Sequence, residues 1–229
     1  MVRLGKSAIS GKITRKDDLE QQSITTWTLL RQAIKDKKHD EGLELLQFLH
    51  RESWLDQVDF ISRSLAYIAK NHGEDEVARA ITWWRKVQQE AGDPVYSLSL
   101  EELIQYQMEQ MRASLTPAGK DCFTIKEEAD RIVISVDPAH VLRLVKPSAI
   151  TRQPHPWSWG RAGIPYYCAQ CCLWWEIMPI EHRGYPLRVH ERPQDMQEPC
   201  RIIYYKKPEL VPDRYYRTVG LAKKLPKLG

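Results

Sequence analysis

Apolar residues recur at helical spacing from about Ser23 to Leu115. Trp27, Leu30 and Ile34 form one stripe, Leu45, Phe48 and Leu49 a second, and Leu65, Ile68 and Ala69 a third. Val77, Ile81, Trp84 and Val87 make the fourth; Leu103, Ile104, Met108 and Met111 make the fifth. Each follows the i, i+3, i+4, i+7 pattern that turns one helix face toward a core. Breaks fall at "KDKKHDE", "NHGED" and "AGDPVYS", where Gly, Pro and Asp interrupt the rhythm. The pattern predicts five helices in an antiparallel bundle.

From Asp121 the period falls to two. "CFTIKEEADRIVISVD" sets Phe123 and Ile125, then Ile132, Ile134 and Val136, at alternate positions around a polar turn from Glu127 to Asp130. That is a hairpin pattern. "GYPLRVHERP" and "PCRIIYYKKP" alternate again, with Leu187 and Val189 on one side and Ile202 and Tyr204 sharing a face. Between the two pairs lie an irregular Pro- and Trp-rich stretch and "GIPYYCAQCCLWWE". Pro165 suits the first turn of a helix, where its missing N–H costs nothing. The fold class that follows is α+β: an N-terminal helical bundle packed on a small antiparallel sheet with one Cys-rich helix. The expected organisation is a disordered basic leader over 1-20, a helical bundle over 21-118, an α+β domain with a Cys/aromatic pocket over 119-216, and a flexible basic tail over 217-229.

Charge and composition narrow the function classes. The 34 basic against 30 acidic side chains leave only +4, too little to expect nucleic acid as a partner. No apolar run approaches the length that spans a membrane. The start of the chain lacks the apolar stretch of a secretory signal. Five cysteines, four of them between Cys168 and Cys200, do not suit a secreted disulfide scaffold. A reducing cytoplasm is the expected setting, with a small-molecule ligand as the expected partner and homo-oligomerisation left open.

The chemistry concentrates in the Cys-rich segment. A helix starting near Pro165 puts Cys168 in its first turn, where the helix dipole favours thiolate. Cys168, Cys172 and Glu176 are four apart, and Cys168 and Cys171 three apart, so they share a face. A carboxylate within "CCLWWEIM" is costly to bury unpaired; a buried Glu176 with a raised pKa is a natural proton shuttle. Of 21 aromatic residues, 11 lie between Trp157 and Tyr216, which suits an apolar-walled ligand site. The competing reading is inert packing, since free cysteines behave as small buried hydrophobes.

A metal is the second reading. Cys168 and Cys171 form a C-x-x-C pair that Cys200, or one of His155, His182 and His190, would complete as a tetrahedral set for zinc or iron. No second C-x-x-C or H-x₃₋₅-H accompanies it. Dithiol redox chemistry ranks third, because that motif belongs beside a βαβ pattern that this chain lacks. His39, His50 and His72 lack the Glu-x-x-His spacing of a bundle metal site and read as loop and helix-end residues. Arg188 could hold a substrate carboxylate bidentately, although a solvent-facing strand position is its plainer reading. His140, at a strand end, and His155, in a loop, default to satisfied surface residues.

A strand ending in Asp-Pro, then "YYCAQC", a helix, "GYPLRVHE" and "EPCRIIYYK" together resemble a small α+β domain shared by two groups. One is the L-2-amino-thiazoline-4-carboxylic acid hydrolases; the other is the 4-vinyl-reductase-type ligand-binding domains. The likeness covers residues 120 to 216. It implies a helix-borne cysteine, Cys168 or Cys171, and a cysteine before the final strand, Cys200. This chain departs from the relatives at Ala139 and His140 after Asp-Pro and at Gln170 between the paired cysteines. The resemblance implies a hydrolase-like small-molecule enzyme acting on a C–N or C–S bond of a cyclic or aromatic substrate. Cys168 would be nucleophile or metal ligand, Cys171 its support and Glu176 the proton carrier. Trp157, Tyr166 and Trp175 would wall the site, and Arg188 would orient an anionic group. The alternative is a non-catalytic ligand- or metal-binding module, and a third reading makes the helical half a docking surface.

Overall fold

A computed structural model describes residues 4–6, 13–15, 24–115, 123–138, 145–195 and 197–223. His140 and Cys122 lie outside the described residues, as do most of the expected leader and the last six residues of the expected tail. The fold is α+β, and the chain divides into two compact units, Met1–Gln57 and Val58–Gly229.

In the first unit, β1 (Leu4–Lys6) pairs antiparallel with β2 (Ile13–Arg15) inside the stretch that reads as a leader. Helix α1 (Thr26–Lys35) starts at Thr25, whose hydroxyl accepts from the Thr28 N–H at 3.2 Å, a standard N-cap. Its buried face carries Leu30 and Ala33, packed on Leu45. Trp27 and Ile34, expected on that face, are exposed. Helix α2 (His39–His72) carries both the second and the third apolar stripes, and its residues from Val58 onward, the third stripe included, belong to the second unit. No Gly, Pro or cap breaks the backbone between them, so five expected helices become four. His39 and His72 are its exposed end residues.

The second unit holds the site. Gly73, at φ 98°, turns the chain from α2 into α3 (Glu74–Glu90); this left-handed backbone is where glycine is cheapest. Glu74, Asp75 and Glu76 fill the first turn, complementing the positive helix end. Helix α4 (Leu100–Leu115) opens on a reciprocal cap. Ser99 N–H donates to Glu102 Oε2 at 2.8 Å, and Glu102 N–H donates to Ser99 Oγ at 3.3 Å. Four strands follow: β3 (Phe123–Glu127), β4 (Arg131–Val136), β5 (Val189–Glu191) and β6 (Cys200–Tyr205). They form an antiparallel sheet in the order β3-β4-β6-β5.

Between β4 and β5 the chain makes a 3-10 turn, Tyr166–Cys168, an α-helical turn, Ala169–Cys172, a π-helical stretch, Leu173–Ile177, and a closing α-helix, Met178–Arg183. This composite run is α5. Pro179 accounts for its irregularity: it has no N–H to return to the Trp175 carbonyl one turn back. That carbonyl instead accepts from Leu187 N–H at 2.9 Å, fastening α5 to the residues that lead into β5. Helix α6 (Asp213–Thr218) packs on the other sheet face, where Tyr215 OH and Arg214 Nη2 reach Glu191 Oε1 at 2.6 and 2.7 Å. Within the stretch that reads as a flexible tail, Val219 is buried and Lys223 Nζ donates to the Glu209 and Val211 carbonyls at 2.8 Å.

Candidate functional site

Helix α5 has two faces with different neighbours. Tyr166, Ala169 and Leu173 turn toward Leu65, Val77 and Ile81 of α2 and α3. There Tyr166 OH donates to Glu74 Oε1 at 2.6 Å, and His155 Nε2 lies 2.7 Å from Glu74 Oε2. Arg152 N–H supplies a third bond at 2.7 Å, and Trp157 stacks on the His155 ring at 4.4 Å. Burial opposes ionisation of Glu74, but these bonds win and hold its carboxyl below the usual range. The constellation ties the loop around His155 to the start of α3. Three of the expected site residues, Trp157, Tyr166 and His155, therefore belong to this clamp and not to a hollow beside the cysteines. The correction follows from helix geometry: Tyr166 lies on the opposite side of α5 from Cys168 and Cys171.

The second face looks onto the sheet. Antiparallel register sets His190 opposite Ile202; the same register sets Arg188 against Tyr204 and Arg192 against Cys200. Side chains at these alternate positions share one face. Arg188 donates to Tyr204 OH at 3.0 Å and to Gln107 Oε1 of α4, and its guanidinium lies 4.1 Å from the Trp175 ring centroid. Arg192 Nη1 lies 3.6 Å from Cys200 Sγ. Cys168, Cys171 and Cys200 all couple electrostatically to Arg192. The structure thus brings Trp175, Arg188, Cys168, Cys171, Cys200 and Glu176 to one face. Arg188 is 4% exposed; its plainer reading, a solvent-facing strand position, is overturned because α4 and α5 cover that face.

Glu176 anchors the centre. Its Oε1 accepts from Trp159 Nε1 at 3.0 Å and from the His190 backbone N–H at 3.0 Å, and lies 2.7 Å from His190 Nδ1. Both side chains of this pair are 1% exposed. Burial pushes Glu176 up to about 8, against the hydrogen bonds that favour its ionised form. Burial also holds His190 well below its ordinary value, helped by the charges of Arg188 and Arg192. At neutral pH these directions leave the proton on Glu176 and His190 neutral, while His190 Nε2 is buried without a hydrogen-bond partner among the described residues. Arg188 Nε and Arg192 Nε and Nη2 are likewise buried and unpartnered. Four such atoms on three neighbouring side chains form a dense cluster of unmet polar groups, and buried polar groups are normally satisfied.

The thiols do not behave as the helix-start position suggests. Burial pushes Cys168 up to about 12, overriding both the dipole and Arg192. Cys171 and Cys172 are raised by burial as well. Cys171 is the only one of the four described cysteines that is not fully buried. Glu176 couples to Cys171 and Cys172 rather than to Cys168, so the face expected from four-residue spacing is divided along the helix. Among the described residues, no group of three or more His, Cys, Asp and Glu side chains is placed to hold a metal ion. Cys200 Sγ lies against the Arg192 guanidinium instead, and His155 is engaged by Glu74.

No family model, curated protein or solved structure matches the chain.

Two residues at the heart of the site, Trp159 and Arg192, carry no helical or metal-ligand signal, and a third, His190, enters the sequence reading only as a candidate metal ligand. Trp159 lies in an irregular loop with left-handed backbone at φ 53°, an uncommon state for a bulky residue that costs about 1–3 kcal/mol and concentrates at functional sites. His190 and Arg192 continue the alternation begun at Arg188, which was the one available sign that all three share a face. Arg161 supports them, donating to the Arg192 and Pro193 carbonyls at 2.9 and 3.0 Å.

Proposed function

We propose that this protein binds a small carboxylate-bearing molecule between α5 and the sheet and acts on it by hydrolase-like acid–base chemistry. The observation that carries the reading is the unpartnered Nε2 of buried His190, whose Nδ1 is held by Glu176, beside the unpartnered Nε–Nη2 edge of Arg192. That guanidinium edge suits both oxygens of a carboxylate. Arg188 acts on Glu176, a carboxyl that burial keeps near neutrality, and Arg161 and Arg192 lie close enough to feel each other's charge, so the site favours an incoming anion.

In this scheme Arg192 takes the substrate carboxylate and Arg188 strengthens the field. His190 Nε2 removes or delivers a proton, with Glu176 fixing the ring and exchanging the proton at Nδ1. The nucleophile is a water activated by His190, or the thiol of Cys171, a residue that is partly rather than wholly buried. Trp159 holds Glu176 in place through its indole N–H. The C–N or C–S bond specificity rests on the resemblance to thiazoline-carboxylate hydrolases, and Cys168 takes a packing role beside Arg192. A binding module without chemistry is the alternative.

The test is turnover of five-membered cyclic amide and thiazoline carboxylates, followed by mass spectrometry. His190→Gln should lower kcat at least about a hundredfold, in line with loss of a general base, and Arg192→Gln should act mainly on KM. Turnover that survives His190→Gln would overturn the catalytic assignment. Carboxylate binding without turnover of any of these compounds would select the binding module.

A further inference from the structure

A cavity of about 120 Å³ opens where the end of α5, the start of α4 and the end of β6 meet. It offers several times the volume one water needs. Its lining combines apolar side chains, among them Leu100 and Leu103 of α4 and Val211 beyond β6, with Arg183, Arg188 and Lys206. Among the described residues no acidic side chain lines it.

The cations are unevenly neutralised. Arg183 donates to the Tyr96 carbonyl at 3.1 Å and to Tyr185 OH, and its guanidinium sits 4.0 Å from the Tyr185 ring centroid. These neutral partners fix its position without cancelling its charge. Arg188 is held by Gln107 and Tyr204, again neutral groups, and its Nε is buried without a partner among the described residues. Lys206 alone has a carboxylate, Glu127 at 2.7 Å, and that carboxylate is 70% exposed, so water screens the pair. Preorganised positive charge beside apolar lining is the combination that recognises an anionic head on an apolar body.

We infer that this cavity is a binding site for a small organic anion, its charged group between Arg183 and Lys206 and its apolar body against Leu100 and Leu103. The inference does not rest on the proposed reaction. It uses Arg183 and Lys206, which the reaction does not, with Arg188 also in the lining.

Benzoate and its neutral counterpart benzamide are suitable probes, titrated into the full chain and followed by backbone amide NMR. An Arg192→Gln background keeps the proposed substrate site from contributing. In that background benzoate should shift the amides of Leu100, Leu103 and Lys206 and should bind at least about tenfold more tightly than benzamide. Arg183→Met should weaken benzoate about tenfold, and Lys206→Gln, at a more exposed position, should weaken it severalfold with folding intact. Equal affinity for both probes, absence of binding, or unchanged benzoate affinity in the Arg183 and Lys206 variants would each overturn the inference. Benzoate binding that vanishes in Arg192→Gln alone would assign the anion to the other site and refute this one. Failure of Arg192→Gln to alter substrate KM, with cavity binding intact, would sink the proposed reaction and leave this inference standing.

Discussion

Glu176 and His190 show how burial sets protonation, and their opposed shifts give a pH dependence with a definite sign. Glu176, raised from 4.5 to about 8, binds its proton more tightly folded than unfolded. Its contribution to stability is complete below pH 4.5 and is lost as pH rises to about 8. His190, depressed from 6.5, contributes stability above pH 6.5 and loses it as pH falls. The two oppose each other in acid, whereas only Glu176 acts from pH 6.5 to about 8. Stability should therefore fall across that upper window, and Glu176→Gln should flatten the fall in urea unfolding midpoints; an unchanged slope would contradict the assignment. Trp159→Phe keeps the ring but removes the donor to Glu176, and should cost about 1–2 kcal/mol by the same measurement, the usual effect of losing one bond to a buried acceptor. The glutamate's burial was legible in the sequence, because a lone carboxylate stood among tryptophans and cysteines. Its partners were not. Trp159 sits in a loop without periodicity, and His190 comes from a strand whose covered face only the fold reveals.

Among the elements, α5 decides the geometry. Pro179 denies the Trp175 carbonyl its helical partner, the π-helical stretch accommodates the gap, and Leu187 N–H takes the vacancy. That bond sets where the residues leading into β5 begin, and so where Arg188, His190 and Arg192 emerge. Pro179→Ala would restore an N–H that competes for the same carbonyl. The expected result is faster hydrogen exchange at the Leu187 amide, with α3 amides unaffected; retained protection would show that the strand is held by other means. The two-residue alternation located β3, β4 and β6, although in β3 only Phe123 is partly buried and Ile125 is exposed, and in β6 both Ile202 and Ile203 are buried. It misjudged Arg188, because an alternating polar residue looks solvated until the elements over both sheet faces are known. Helical spacing found the helices but only part of each buried stripe, since Trp27, Ile34, Trp84 and Val87 are exposed, and it missed the continuity of α2, which a stripe-by-stripe reading splits wherever polar residues intervene.

At the scale of the whole molecule, a net charge of +4 conceals a local concentration. Arg161, Arg188 and Arg192 lie close together within the second unit without a carboxylate partner among the described residues, which favours a small anion over an extended polyanion. No helix among the described residues is long and apolar enough to cross a membrane. If three clustered guanidinium groups are the binding determinant, thermal stability should rise with small carboxylates more than with the corresponding amides. Arg192→Gln should remove most of the difference contributed by this site. The most direct measurement is the Arg192 Nε–H and His190 ring nitrogen resonances while a five-membered cyclic amide carboxylate is added to the full chain. The account predicts that both signals move together and saturate, and that the His190 shift disappears in Arg192→Gln. Signals that stay in place while the compound binds elsewhere would contradict it.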